Sequence, residues 1–231
     1  MPVIVHTPPP APLTRAEIAR WAPVPVSVAV DLCRDAGQID PAIRPLRPAG
    51  TQPRLFGQAV TVRCEPPDLG AIVHALDLIE RGQVLVIDAA GHRDTAMIGD
   101  ILAGHLRRKG VAGVVCDGAV RDAGTLAGWD DFAVFARWIT PRGPVGTERG
   151  AVNRPVVIGG CIVAPGDLVI GDDDGLVALS PATVRGRIAQ AEAKLGREEV
   201  WIGALASGRT AAAVFGAAPA VRADGDDPAT T

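Results

Sequence analysis

The sequence predicts an α/β fold around one continuous core, and three observations lead there. β-rich runs alternate with segments whose apolar residues recur at helical spacing through the first half of the chain. The apolar residues that could fill a core are Ala, Val, Leu and Ile, since aromatic residues make up 3% of the 231 and tyrosine is absent. The second half changes to short β segments separated by turn sequences, which predicts a meander over the later strands.

Taken in order, residues 1–13 are crowded with proline, which removes backbone donors, and are expected to form an extended arm. Thr14-Arg15-Ala16-Glu17 matches a capping box and predicts a helix start. A strand over Gly57–Cys64, a helix over Leu69–Arg81 and a buried strand over Val84–Asp88 give a βαβ rhythm. A helix over Ile98–Lys109, a strand over Val111–Cys116 and a short helix after Asp122 continue it. Phe132–Trp138, Pro155–Ala164, Leu168–Gly171 and Leu176–Leu179 read as the later strands, parted by turns at Pro165-Gly166-Asp167 and Asp172–Gly175. A helix from Pro181 to about Ala206 closes the fold. The expected organisation is therefore one domain over 14–217, with a flexible tail over 218–231.

Composition removes several function classes. Hydrophobic residues are 48% and charged residues 21%, which suits a packed globular protein and not a disordered one. Acidic and basic residues are intermixed, with a net charge of -3, so no basic stripe offers itself to nucleic acid. Cys33, Cys64, Cys116 and Cys161 are widely spaced, without the pairing of a zinc site, and read as buried thiols of a reducing compartment. The start lacks a basic segment followed by an apolar one, and no run approaches the ~18–20 apolar residues that span a bilayer. A cytoplasmic location without membrane association is expected.

The P-loop, Rossmann, nucleophile-elbow and zincin motifs are all absent from the sequence. The most informative run is Gly113 to Asp122, GVVCDGAVRD, read as a buried strand entering a tight Asp117-Gly118 turn. Arg121 and Asp122 then stand at the carboxyl end of a strand, where open α/β sheets place ligands. Arg121 offers a planar fork to a carboxylate or oxo group, and Asp122 is a hard oxygen ligand for Mg²⁺ or Mn²⁺. The plainer alternative is an exposed ion pair worth about 0–1 kcal/mol.

Upstream, Gly99-Asp100-Ile101-Leu102 opens a helix whose free N–H groups suit an anion. The competing role for Asp100 is that of a helix cap. His92 lies in a loop beside the proposed site, whereas His105 reads as a packed or surface imidazole.

The run GDILAGHLRRKGVAGVVCDGAVRD, with PGDLVIGDDDGLVALSP at Pro165–Pro181, resembles the signature of the class II pyruvate aldolases. These cleave 4-hydroxy-4-methyl-2-oxoglutarate and 4-carboxy-4-hydroxy-2-oxoadipate, and are relatives of the regulator of ribonuclease activity A. The similarity runs from about Gly57 to Gly208. It implies a β/β/α sandwich like a swivelling phosphohistidine-type domain. It implies a lyase releasing pyruvate from a 4-hydroxy-2-oxo acid, with oxaloacetate decarboxylation as a side activity.

By the same resemblance Gly99, Asp100, Ile101 and Leu102 bind substrate, Arg121 holds it, Asp122 positions a divalent metal (Mg²⁺ or Mn²⁺), and Asp100 helps activate a water. Glu198, or else Glu199, matches a carboxylate lent to a neighbouring subunit's site, which implies a homo-oligomer, a trimer or a dimer of trimers. A solvated helix face is the other reading of that pair. Leu69 stands where relatives often carry a site asparagine, and no lysine stands near Val145 and Gly146, where Arg142 or Arg149 could substitute. A non-catalytic protein-binding regulator is the alternative function. A phosphohistidine carrier is a third, with His92 as its candidate histidine.

Overall fold

Largely aliphatic runs in the central strands, Val84–Ile87 and Gly113–Cys116 among them, fold here into a sheet buried on both faces. The computed structural model describes residues 2–7, 13–33 and 37–220. In chain order the elements are β1 (Ile4–Val5), α1 (Arg15–Trp21), α2 (Val26–Cys33), β2 (Arg44–Pro45), β3 (Leu55–Arg63), α3 (Gly70–Leu78) and β4 (Val84–Ile98). They continue with α4 (Asp100–Lys109), β5 (Gly113–Val120), α5 (Ala123–Ala127), β6 (Ala133–Ile139), β7 (Ala151–Val152), β8 (Val156–Ile158) and β9 (Cys161–Val163). β10 (Leu168–Asp172), β11 (Gly175–Leu179), α6 (Pro181–Ala206) and α7 (Ala211–Phe215) complete the series. The chain divides into two compact units, residues 1–191 and 192–231.

In the first unit a mixed sheet runs in the order β1-β7-β3-β4-β5-β6-β2, and the β10–β11 hairpin pairs with β3. Its centre, β3-β4-β5-β6, is parallel. The period-2 alternation of a strand sends successive side chains to opposite faces. Leu85, Ile87, Val114, Cys116 and Val134 join Ile72, Ala75 and Leu106 of α3 and α4 in one core layer. Val84, Val86, Val115 and Phe135 join Val156, Val163, Val169 and Leu176 in the other. The sheet is thus covered by helices on one face and by the later strands on the other, a mixed α/β architecture. Parallel sheets read as continuous apolar runs for this reason.

The capping box forms as expected, with Thr14 Oγ1 accepting from Glu17 N and Glu17 Oε2 accepting from Thr14 N at 2.7 Å. The expected helix from Pro181 to Ala206 has those bounds. The segment 155–164 is two strands about a Gly159-Gly160 turn instead of one. Residues 4 and 5 of the proline-rich arm form β1 against β7, while residues 8–12 of that arm and 221–231 of the tail lie outside the described residues. Cys64 and Cys116 are buried as expected, but Cys33 and Cys161 are half-buried. No described helix is long and apolar enough to cross a membrane.

Two departures concern the site. β4 runs ten residues past Asp88, to Ile98, by absorbing bulges whose register jumps fall at His92 and Ala96. β5 does not turn at Asp117-Gly118 but continues to Val120. Asp117 is buried there and accepts hydrogen bonds from Arg137 Nε and from Gly159 N, each at 2.6 Å. Gly118 leaves room for Ala89, whose Cβ lies 2.8 Å from where a Cβ on Gly118 would stand.

In the second unit, Trp201 meets Phe215 edge to face at 5.1 Å, and Thr210 caps α7 by accepting from Ala213 N at 3.3 Å.

One buried carboxylate ties the segment at Glu148 and Arg149 to the start of α3. Asp68 accepts from Gly70 N at 2.7 Å, from Arg149 N at 3.0 Å, and from Glu148 N at 3.0 Å through Oδ2. Burial alone would raise its pKa, but the amides of Glu148, Arg149 and Gly70, together with the Arg149 guanidinium, hold it below the ordinary aspartate value. The ionised carboxylate therefore stabilises the fold above about pH 4, and that contribution fades as pH falls through the depressed folded value. Asp68→Asn is expected to have a lower urea midpoint than wild type at neutral pH, with the gap closing from about pH 4 downward. A gap independent of pH would sink this account.

Candidate active site

Three parallel strands end side by side at the site. Ile98 of β4 pairs with Val120 of β5, which pairs with Ile139 of β6. The pairing runs one step beyond the strands, since Arg121 N donates to Ile98 O at 3.1 Å and Thr140 N donates to Val120 O at 3.0 Å. Arg121 and Asp122 are therefore delivered to the carboxyl edge of a parallel sheet, the edge at which such sheets bind ligands.

The chain leaves β4 through Gly99, whose backbone is extended (φ −141°), so that its use here is not a left-handed conformation. Its use is the missing side chain. A Cβ on Gly99 would collide with Asp122 Oδ2 and would lie 2.8 Å from Arg121 Cγ. Asp122 supplies the other half of the fit by adopting a left-handed conformation (φ 57°, ψ 34°), which aspartate tolerates better than most residues. This turns its carboxylate back toward the start of α4, where Oδ2 accepts from Asp100 N at 3.2 Å. Asp122 thus meets one of the orphan donors that open α4 and places negative charge at the positive end of the helix.

The remaining groups at this helix start are available to a ligand. The first intrahelical bond runs from Ala103 N to Gly99 O at 3.0 Å, so the N–H groups of Ile101 and Leu102 precede the helical ladder. Arg121 Nε lies 3.3 Å from Asp122 Oδ2, with side chains 36% and 35% exposed. A half-open pair of this kind is weakly held and open to a small solute. Arg121 Nη1 is confined from outside by Gly143, on which a Cβ would stand 2.6 Å away. A cleft of about 420 Å³ begins at the same loop, lined by Arg93, Trp138, Thr140 and Arg142.

The structure thus brings together Gly99, Asp100, Ile101, Leu102, Arg121 and Asp122 of the expected set. Gly99, not Asp100, occupies the cap position, and Asp100 is the first helical residue. His92 is committed to a local contact: its Nε2 accepts from Thr95 N at 3.2 Å and lies 2.7 Å from Thr95 Oγ1. His105 is an exposed helix residue. Glu198 lies in the second unit with Lys194 at 3.8 Å, one helical turn before it, and Glu199 is exposed.

A divalent metal is implied by the sequence resemblance, and the donor set can be tested for fit. Among the described residues no group of three His, Cys, Asp or Glu side chains converges. That rules out a cage made wholly of protein ligands among them. It suits Mg²⁺ or Mn²⁺, which bind through one or two carboxylates and retain water and substrate oxygens. Asp122 is the carboxylate so placed, half-exposed and with one oxygen turned to the helix start.

Sequence reasoning missed the role of Asp68, though its signal was present. Asp followed two residues later by Gly is an Asx-turn pattern, and Asp68 Oδ1 accepts from Gly70 N in that way.

The family model RraA-like, described as Aldolase/RraA, matches residues 26–178. A protein of Halalkalibacterium halodurans named "Putative 4-hydroxy-4-methyl-2-oxoglutarate aldolase" is 30% identical over 182 residues, covering 79% of this chain and 85% of that one. The crystal structure of an uncharacterized Pseudomonas syringae protein superposes with a TM-score of 0.76 at 26% identity, over 91% of this chain and 100% of the other. The structure of the RNA-processing inhibitor RraA from Thermus thermophilis gives 0.60 at 30% identity, over 66% and 90%. With the family model spanning well over half its length, the chain belongs to the RraA-like family of aldolases and RraA proteins.

Proposed function

We propose that this protein is a metal-dependent carbon–carbon lyase that cleaves a 4-hydroxy-2-oxo acid to pyruvate, with oxaloacetate decarboxylation as a side reaction. The observation that carries the reading is the placement of Arg121 and Asp122 against Gly99 at the amide-rich start of α4. It supports the reading because a guanidinium able to clamp an oxyanion and a carboxylate able to hold a metal would then stand within one helical turn of a helix end suited to an anion.

In this reading the N–H groups of Ile101 and Leu102 hold the substrate's C1 carboxylate. The Arg121 fork faces the C2 oxygen. Asp122 would hold the divalent metal, which when bound would supply Lewis-acid polarisation of the oxo group. When the C3–C4 bond breaks, its electron pair passes into an enolate on the C2 oxygen, and Arg121 stabilises that growing charge. The proton of the C4 hydroxyl passes to a base, and C4 becomes the carbonyl of the second product. Asp100, through a water, and Glu198 from a neighbouring copy are the groups assigned to that proton. Protonation at C3 then releases pyruvate. Oxaloacetate has no C4 hydroxyl proton to give up: its ionised C4 carboxylate leaves as carbon dioxide, the C3–C4 electron pair enters the same enolate, and protonation at C3 again gives pyruvate.

A shared site requires an oligomer, here a trimer or a dimer of trimers. The apolar surface near the site supports this: Ile101 and Val145 are each 71% exposed and Ile139 is 63% exposed. The second reading, a protein-binding regulator without catalysis, draws on the likeness to the Thermus RNA-processing inhibitor. A pure binding module has no need of a carboxylate and a guanidinium packed around a side-chain-free glycine.

The deciding assay measures pyruvate released from oxaloacetate and from 4-hydroxy-4-methyl-2-oxoglutarate, with Mg²⁺ and again after EDTA. Metal-dependent release is expected for wild type, and its absence with both substrates would overturn the lyase reading. Arg121→Ala should lower kcat by about 10²–10³-fold, the worth of a lost oxyanion donor. Gly99→Ala, whose extended backbone tolerates a side chain, should lower it about 10²-fold by displacing Asp122 and Arg121, with little change in melting temperature. Full activity in Gly99→Ala would show that the close packing is not used.

A further inference from the structure

The segment that walls the Arg121 guanidinium is not a free loop. Residues 143–149 form a strap laid across the chain that leads into α3, and most of the stitches can be named. Val145 N donates to Pro67 O at 2.8 Å, Leu69 N donates to Gly146 O at 3.1 Å, and Ala71 N donates to Arg149 O at 3.2 Å. Two glycines permit the close approach. A Cβ on Gly70 would lie 2.6 Å from Thr147 O, and one on Gly146 would lie 2.6 Å from Asp68 Oδ2.

One side chain organises this seam. The Asp68 carboxylate is 2% exposed and receives the amides of Gly70, Glu148 and Arg149, so both of its oxygens are engaged. Arg149 Nε adds a longer ion pair at 3.8 Å. A buried charge survives only when it is met by donors in this way, and removing it leaves those donors unmet.

At its other end the strap touches the site. Arg142 O accepts from Ala96 N at 2.8 Å, which anchors the entry beside the end of β4. Gly143, next in sequence, is the residue whose absent Cβ leaves 2.6 Å to Arg121 Nη1. The Arg121 side chain therefore meets two side-chain-free backbones, Gly99 near Cγ and Nε and Gly143 near Nη1. The first is fixed by the sheet and the second by the strap.

We infer that Asp68 is a positioning residue for Arg121, setting the orientation of the guanidinium through the 143–149 strap without touching substrate itself. This rests on the reading of Arg121 as the group that holds the oxyanion. Charge at Asp68 fixes the strap, the strap fixes Gly143, and Gly143 limits the positions open to Arg121 Nη1.

The test uses the full chain as wild type, Asp68→Asn, Arg121→Ala and the double variant. Gly143→Ala is added as a perturbation of the strap that leaves Asp68 intact, and it decides the matter if Asp68→Asn fails to fold. The readout independent of turnover is the Arg121 Nε–H signal in a nitrogen-15 NMR spectrum, identified by its absence from Arg121→Ala. It is expected to shift and broaden in Asp68→Asn and in Gly143→Ala. In the pyruvate assay Asp68→Asn should lower kcat about tenfold, with KM moving less. In the Arg121→Ala background the same change should cost less than about twofold, because residues acting through one another are not additive. An unchanged Arg121 signal, or equal losses in both backgrounds, overturns the inference. Absence of pyruvate release from wild type overturns the lyase reading alone, and the NMR comparison then decides the inference by itself.

Discussion

The space left by the missing side chain of Gly99 is the constraint on which the rest of the site depends. Into it fit the Asp122 carboxylate and the root of the Arg121 side chain. Because that carboxylate also meets the amide of Asp100, three things become one object: the end of β4, the start of α4 and the exit from β5. A negative group at the positive end of a helix is favourable in itself. Here it also lies 3.3 Å from Nε of the neighbouring guanidinium.

The scaffold beneath this contact is rigid for an ordinary reason. β4, β5 and β6 bury aliphatic side chains on both faces, so a slip of one residue would exchange two core layers that differ in shape. The strand ends are therefore held to a register, and the last pairings, from Arg121 to Ile98 and from Thr140 to Val120, carry that register into the site. The strap that Asp68 meets approaches the guanidinium at Nη1 through Gly143 and is tied down by backbone amides. The two walls of the site thus rest on different physics, close packing for one and amide-to-carboxylate hydrogen bonds for the other.

Much of this was legible in the sequence. The continuous apolar runs marked the central strands, Thr14 and Glu17 marked a helix start, and the family resemblance of the run from Gly99 to Asp122 pointed to the candidate site. The misreadings share a cause. Asp117-Gly118 has the composition of a turn, yet Asp117 is taken up by Arg137 and by Gly159 N, partners distant in sequence that no local pattern reveals. The strand predicted over Val84–Asp88 stops there because Gly91–Asp94 reads as a loop. The bulges there carry positive φ at Ala90 and Gly91 and still let the ladder resume. Asp68 was passed over because its Glu148 and Arg149 partners lie 80 and 81 residues away.

That last separation bears on how the site comes into being during folding. The contact between Asp122 and Asp100 closes a loop of 22 residues, within a single helix and strand. The contact between Asp68 and Arg149 spans 81. Closure entropy rises with loop length, and contacts of long sequence separation are formed slowly. The clamp and the carboxylate are thus a local product of one helix–strand unit. The strap that confines them is a global product, complete only when chain on both sides of that unit has come together. A molecule with its central strands paired and its strap unseated would hold both charged groups while leaving the guanidinium open on one side.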